Sequence, residues 1–163
     1  EAPHYTKQNV MIYPTEQGCS MVLNRSTLEL YSSNPPLNAW HDRWVCLICN
    51  FLGKSVYCQT PLFYYRIHGG NMIGKKQKFW DRIVDDAKFF FTSDAKNSQM
   101  VEEFYHAFNM RLSLEDQDIV NIFIHYKDSF RNKWKIMVSS EYQRASNWRE
   151  RVRKDVLLLF NKI

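Results

Sequence analysis

The sequence predicts an α/β fold in residues 1–74, followed by an α-helical extension over residues 75–163. The first observation is an apolar–polar alternation over residues 62–68, which is typical of a strand. The second is that no glycine follows Gly74 and no proline follows Pro61, while apolar residues after them recur at helical spacing. The third is composition: 45% of the residues are hydrophobic and 15% are aromatic, which is enough for a packed core.

In residues 1–74 we expect short strands around one long helix. The strands are predicted at 11–13, 18–24, 55–58 and 62–68, and Ser26 is predicted to cap a short helix over 27–31. The long helix is predicted over 39–52, with Gly53 at its C-terminal end. Its apolar stripe consists of Trp40, Trp44, Leu47, Ile48 and Phe51.

The extension is predicted to contain helices near 75–92, 97–112, 114–131 and 146–161, with a helical or irregular stretch near 133–143. Ser113, followed three residues later by Asp116, indicates a helix start. The last helix is basic and amphipathic, with an apolar face made of Trp148, Val152, Val156 and Leu159. Such a helix can lie on an anionic membrane, although a charged face is more often simply solvated.

The charge and the cysteines limit the class of protein only loosely. The formal net charge of +5 suits nucleic acid, an anionic membrane surface or a phosphorylated ligand, and it selects none of them. The first residues are polar and predict no signal peptide, and no apolar run is long enough to span a bilayer.

The four cysteines have apolar neighbours, and Cys46 and Cys49 lie in a predicted helix. We therefore expect buried thiols in a reducing compartment rather than a zinc site.

Asp42 is the first candidate functional residue. It lies in the first turn of the predicted helix, where the helix dipole and free N–H groups favour a carboxylate. A carboxylate at the edge of a cleft can accept a proton from an attacking hydroxyl group. A purely capping role explains the same position, and the residue alone favours that simpler explanation.

Arg66 and His68 form the second candidate site. The strand alternation places both on one face, and His68 leads into the Gly69-Gly70 turn, where the backbone can approach an anion closely. Arginine can bind phosphate through two hydrogen bonds, and histidine can bind a divalent metal or a diphosphate. The alternative is a polar strand end beside a tight turn.

Together these segments resemble the acceptor half of a family 2 glycosyltransferase, most closely the rhamnosyltransferase-like branch. The resemblance covers residues 18–74 in order and spacing. The matching segments are Gly18-Cys19-Ser20, His41-Asp42-Arg43-Trp44 and Tyr65-Arg66-Ile67-His68-Gly69-Gly70-Asn71. The sequence departs from the family pattern at Arg43, Ile67 and Gly70, where a second aromatic residue, Gln and Asn are usual.

The resemblance implies a GT-A fold with a Rossmann-like mixed sheet, and inverting transfer from a nucleotide-sugar donor to a glycan or lipid-linked acceptor. Asp42 would be the catalytic base, and His68 would lie at a divalent metal, Mn²⁺ or Mg²⁺. The implied substrate-binding residues are Gly18, Cys19, Ser20, His41, Trp44, Arg66 and Asn71.

The family's donor-binding motifs do not occur before Gly18, so we expect the C-terminal portion of such an enzyme, inactive alone. The Asp116-Gln117-Asp118 sequence follows a capping serine and is interpreted as a helix start rather than a metal motif. The resemblance further implies surface polysaccharide synthesis, from the cytoplasm or the inner face of the membrane.

Two other functions stay open. A non-catalytic helical interaction domain built on residues 75–163 would fold alone and bind a partner without Asp42. A basic nucleic-acid-binding module is suggested by the charge and the aromatic residues. The aromatic residues nevertheless fall mainly at core-like spacings, so no nucleic-acid partner is expected.

Overall fold

The structure is a computed structural model, and it describes residues 6–12, 17–64, 66, 96–140 and 148–162. The α-helices of these residues are α1 (Lys7–Ile12), α2 (Arg25–Ser33), α3 (His41–Leu52), α4 (Lys96–Phe108), α5 (Leu114–Ile124), α6 (Phe130–Val138) and α7 (Trp148–Leu159). Short 3-10 turns occupy Gly18–Ser20 and Asn109–Arg111. The described part of the chain is therefore all-α.

This finding contradicts the predicted α/β fold with a GT-A sheet. Within the described ranges no strand forms: Met11 lies in α1, Gly18–Ser20 is a 3-10 turn, and residues 54–64 have no regular secondary structure. A strand requires a neighbouring strand to pair its N–H and C=O groups. Residues 54–64 are mostly exposed and no described segment pairs with them, so the described part of the alternation over 62–68 has no sheet to join. Residues 65, 67 and 68 of that predicted strand lie outside the described residues.

The core is centred on α3, which packs against α1, α2 and α4. Trp44 and Phe51 of α3 meet Phe104 and Phe108 of α4 in an aromatic cluster, with ring centroids 5.2 to 6.2 Å apart. Such tilted and edge-on arrangements suit the charge distribution of aromatic rings. The helix predicted over 39–52 is confirmed, and four of the five side chains of its apolar stripe are buried.

Helix boundaries follow local capping. Ser113 accepts a hydrogen bond from the backbone N–H of Asp116 at 3.1 Å, which confirms it as the cap of α5. The predicted helix over 114–131 is interrupted, because α5 ends before His125 and α6 begins at Phe130. The predicted cap Ser26 is wrong: Asn24 accepts from the N–H of Thr27, so α2 begins two residues earlier.

The last helix packs with the opposite face from the one expected. Leu157 and Leu158 are buried, whereas the predicted apolar face is exposed at Val152, Val156 and Leu159. Lys154 is also buried, and its Nζ donates to Oδ1 of Asn9 on α1 at 3.1 Å. A buried ammonium group needs such polar partners, which the apolar periodicity cannot reveal.

Other expectations have mixed outcomes. The helix predicted over 75–92 lies outside the described residues. Cys46 is buried as expected, but Cys19 and Cys58 are exposed, so the expected burial of all four thiols was wrong. Among the described helices none combines the length and hydropathy needed to cross a bilayer.

Candidate functional site

The turn at Gly18 lies directly against the start of α3. A Cβ atom placed on Gly18 would be 2.3 Å from Nε2 of His41, well inside van der Waals contact. With the His41 ring in this position only a hydrogen atom fits there, and a larger side chain would require the ring to move. The contact places the Gly-Cys-Ser turn beside the helix turn that carries Asp42.

Asp42 is half-buried at this helix start. Its Oδ1 accepts a hydrogen bond from the backbone N–H of Arg43 at 2.8 Å, whereas the side chain of the N-cap residue, Trp40, makes no capping bond. The free N–H groups and dipole of the helix attract the negative charge. The arrangement holds a carboxylate at the surface of the molecule, beside Gly18 and His41.

Trp40 is an exposed aromatic ring next to the candidate site, with 56% of its surface accessible. The guanidinium carbon of Arg43 lies 5.5 Å from the centre of this ring, in a cation–π arrangement. Arg43 Nη1 donates to Oδ1 of Asn97 at 2.7 Å, and Asn97 Nδ2 donates to the carbonyl of Ile12 at 2.9 Å. The chain of contacts from Ile12 to Arg43 supports the ring from one side.

Sequence reasoning did not identify Trp40 as a site residue, because its spacing placed it on the buried stripe of α3. One signal was present: Trp40 directly precedes the His-Asp pair at which the helix begins. An N-cap residue has extended backbone geometry, so its side chain need not follow the helical stripe. Asn97 gave no such signal, since it reaches Arg43 only through the packing of α4 on α3.

Cys19, Ser20 and Trp44, which also belong to the resemblance, lie in two different surroundings. Cys19 and Ser20 are exposed beside Gly18, and Ser20 Oγ donates to the carbonyl of Gln17 at 2.8 Å. Trp44 is buried and its indole N–H donates to the carbonyl of Asn34 at 2.8 Å. Trp44 therefore contacts the core, and its influence on a ligand would pass through the position of α3.

The predicted metal corner is only partly visible. Arg66 is described and exposed, while His68 and Asn71 lie outside the described residues. The part of the chain that the structure describes contains no group of three or more His, Cys, Asp or Glu side chains able to hold a metal ion. Asp116 forms an ion pair with Lys7, whereas Asp118 is exposed, so these two carboxylates do not form a shared metal site.

A small cavity of about 50 Å³ lies between α1, α5 and α6. It includes no residue of the candidate site; its walls are Gln8, Met11, Ile119, Ile122, Phe123, Lys135 and Ile136. Oε1 of Gln8 is buried without a hydrogen-bond partner. The volume suits one or two water molecules, and a water bound to Gln8 would satisfy this oxygen.

Compared with protein-family models, with curated proteins and with solved structures, the chain gives no match.

Proposed function

We propose that residues 18–74 supply the acceptor side of an inverting glycosyltransferase, with Asp42 as the catalytic base. The observation that carries the proposal is the contact between Gly18 and His41. It joins two segments that the resemblance assigns to one active site, although they are distant in sequence. The proposal concerns this site and the sequence resemblance, and it does not require the GT-A sheet that the helical structure contradicts.

In the proposed reaction Asp42 removes the proton of an acceptor hydroxyl group. The hydroxyl oxygen forms a bond to C1 of the donor sugar as the bond from C1 to the phosphate oxygen breaks. The electron pair of that bond leaves with the nucleoside diphosphate, and attack from the opposite side inverts C1. A divalent cation, Mn²⁺ or Mg²⁺, would neutralise charge on the diphosphate when bound.

Trp40 would position the acceptor sugar. A tryptophan ring offers a broad, rigid apolar face, against which the C–H groups on one side of a sugar ring can pack. Trp40 is exposed, lies two residues before Asp42 and is supported by Arg43. In this role Arg43 stabilises the platform, which gives a reason for its presence where the family usually has an aromatic residue.

The proposed partners are a nucleotide-sugar donor and a glycan or lipid-linked acceptor used in surface polysaccharide synthesis. The proposed location is the cytoplasm, at or near the inner face of the membrane. Both follow from the resemblance of residues 18–74.

A non-catalytic helical interaction domain is the second candidate function. The exposed apolar side chains on α6 and α7 support it. This candidate requires no contribution from Asp42 to binding.

The test measures release of nucleoside diphosphate from a panel of sugar nucleotides with Mn²⁺, using the full product of the gene that encodes this chain. We expect Asp42→Asn to lower the rate by about 10²- to 10⁴-fold, the usual contribution of a general base. Asp118→Asn is the matched control, since Asp118 is an exposed helical aspartate, and it should retain the wild-type rate.

Equal rates for wild type and Asp42→Asn would remove Asp42 as the base. If the folded wild-type protein released no diphosphate from any donor, with glycan and lipid-linked acceptors present, the result would contradict the proposal and favour the interaction domain.

A further inference from the structure

Helix α6 exposes a straight line of large apolar side chains, here called the α6 stripe: Phe130, Trp134 and Val138. Their exposed fractions are 69%, 57% and 48%. Residues four apart share one helix face, so the three side chains lie in a row. Ile136 lies on the opposite side of α6 and is buried, and both α5 and α7 contact α6. The α6 stripe therefore faces the solvent.

Positive charge accompanies the α6 stripe. Residues 129–140 contain Arg131, Lys133 and Lys135 and no acidic residue. Arg131 and Lys135 are exposed, and Lys133 Nζ donates to the carbonyl of Leu159 at the end of α7. The α6 stripe is thus an apolar surface with cationic neighbours.

Acidic residues near α6 are fewer than the basic ones. Asp128, just before the helix, lies 3.4 Å from a ring nitrogen of His125, and Asp155 on the neighbouring α7 is partly buried. By sequence α7 contains four basic residues, Arg149, Arg151, Arg153 and Lys154, against two acidic ones, Glu150 and Asp155.

We propose that the α6 stripe binds the surface of an anionic lipid bilayer. Tryptophan and phenylalanine suit the boundary between head groups and acyl chains, and nearby lysine and arginine are attracted to anionic lipids. Val152 and Val156 are also exposed on α7, which contacts α6, and add apolar surface on the neighbouring helix. The contact lies along the bilayer surface, since α6 has only nine residues.

Charge argues against a second copy of this chain as the occupant. A two-fold dimer through the α6 stripe would bring the same surface of both copies together. Arg131 and Lys135 of one copy would then face the same residues of the other, and like charges repel. An anionic bilayer complements both the apolar and the cationic parts of this surface.

The test is co-sedimentation of the 163-residue chain with phosphatidylcholine vesicles, with and without phosphatidylglycerol, at low and high salt. We expect binding only to the anionic vesicles, weakened by salt. Neutralising Arg131→Gln and Lys135→Gln together should weaken binding roughly 30-fold, about fivefold for each charge. Trp134→Ser should weaken it about tenfold or more, through lost apolar burial.

Leu114→Ser is the matched control, because Leu114 is 84% exposed at the start of α5, outside the α6 stripe. It should bind as wild type does, and so should Asp42→Asn, because vesicle binding involves no sugar transfer. Failure of this proposal is therefore separate from failure of the glycosyltransferase proposal.

A second readout guards against a variant that does not fold. Brominated phosphatidylglycerol should quench part of the tryptophan fluorescence of the wild type, and Trp134→Phe should lose that part. The proposal would be overturned if the chain did not bind anionic vesicles, or if Leu114→Ser lost as much vesicle binding as the α6 variants. It would also be overturned by unchanged lipid quenching in Trp134→Phe, or by salt-insensitive self-association of the chain.

Discussion

The contact between Gly18 and His41 allows two effects on stability to be measured separately, the packing of a new side chain and the restriction of the backbone. In Gly18→Ala the new methyl group would lie 2.3 Å from Nε2 of His41, whereas ordinary contacts begin near 3.4 Å. The imidazole must therefore move by at least 3.4 − 2.3 = 1.1 Å. His41 is exposed, so its ring can move outward without disturbing the core.

Two opposing free energies decide the stability of this variant. Displacing the ring from its preferred rotamer costs about 0.5–1.5 kcal/mol. Replacing glycine by alanine also restricts the unfolded chain, which stabilises the fold by about 0.4–1 kcal/mol where the backbone is compatible. Gly18 lies in a 3-10 turn outside the left-handed region, so the backbone accepts alanine. The two effects nearly cancel in the wild-type background.

A double-mutant cycle with His41→Ala separates the steric clash from the backbone effect. The quantity measured for each variant is the free energy of unfolding in urea. In the His41→Ala background the clash is absent, so Gly18→Ala should stabilise the protein by about 0.4–1 kcal/mol. The difference between the two backgrounds should equal the clash, about 0.5–1.5 kcal/mol. The same effect of Gly18→Ala in both backgrounds would show that the two residues do not touch in solution.

Two further predictions concern the core. Phe104→Ala removes the ring at the centre of the aromatic cluster and should cost about 3–5 kcal/mol of unfolding free energy in urea; a loss below about 1 kcal/mol would contradict the packing of α3 on α4. Lys7→Met leaves Asp116, whose side chain is 7% exposed, without its cation, and should cost about 1–3 kcal/mol by the same assay. The matched control Arg25→Gln breaks the exposed pair with Glu29 and should change stability by less than about 0.5 kcal/mol; an equal effect of the two substitutions would refute burial as the cause.

Helix α3 was predictable because its local signals agree with its packing. Apolar residues at three- and four-residue spacing define a buried face, and α3 needs only such a face to pack against its neighbours. The cap at Ser113 was predictable for the same reason, since it forms within one helix turn. Features that lie within about four residues of sequence can be recognised without knowledge of the fold.

The strands and the orientation of α7 were not predictable, because both depend on distant residues. Alternation over 62–68 describes what a strand would bury in a sheet, but it does not supply the pairing partner. On α7 the apolar pattern placed Val152 and Val156 inward, and the structure instead buries Lys154. Its hydrogen bond to Asn9 makes that burial possible, and neither residue indicates the other in the sequence.

In the candidate site, too, some features are local in sequence and others depend on how the helices pack. The resemblance identified His41 and Asp42 from a short stretch of sequence, and these lie at the exact start of a helix in the structure. The support of Trp40 by Arg43 and Asn97 involves residues 54 positions apart. Such a network depends on how α4 packs against α3, so no local pattern could predict it.

The hydrogen bond between Lys154 and Asn9 joins residues 145 positions apart, and it has a consequence for synthesis on the ribosome. At about 5–20 residues per second, roughly 7–30 s pass between the synthesis of α1 and the synthesis of α7. During that interval Val10, Met11 and Ile12 lack the leucines of α7 that complete their shared core. Apolar surface exposed in this way promotes aggregation, so slowing translation before α7 should raise aggregation of the nascent chain.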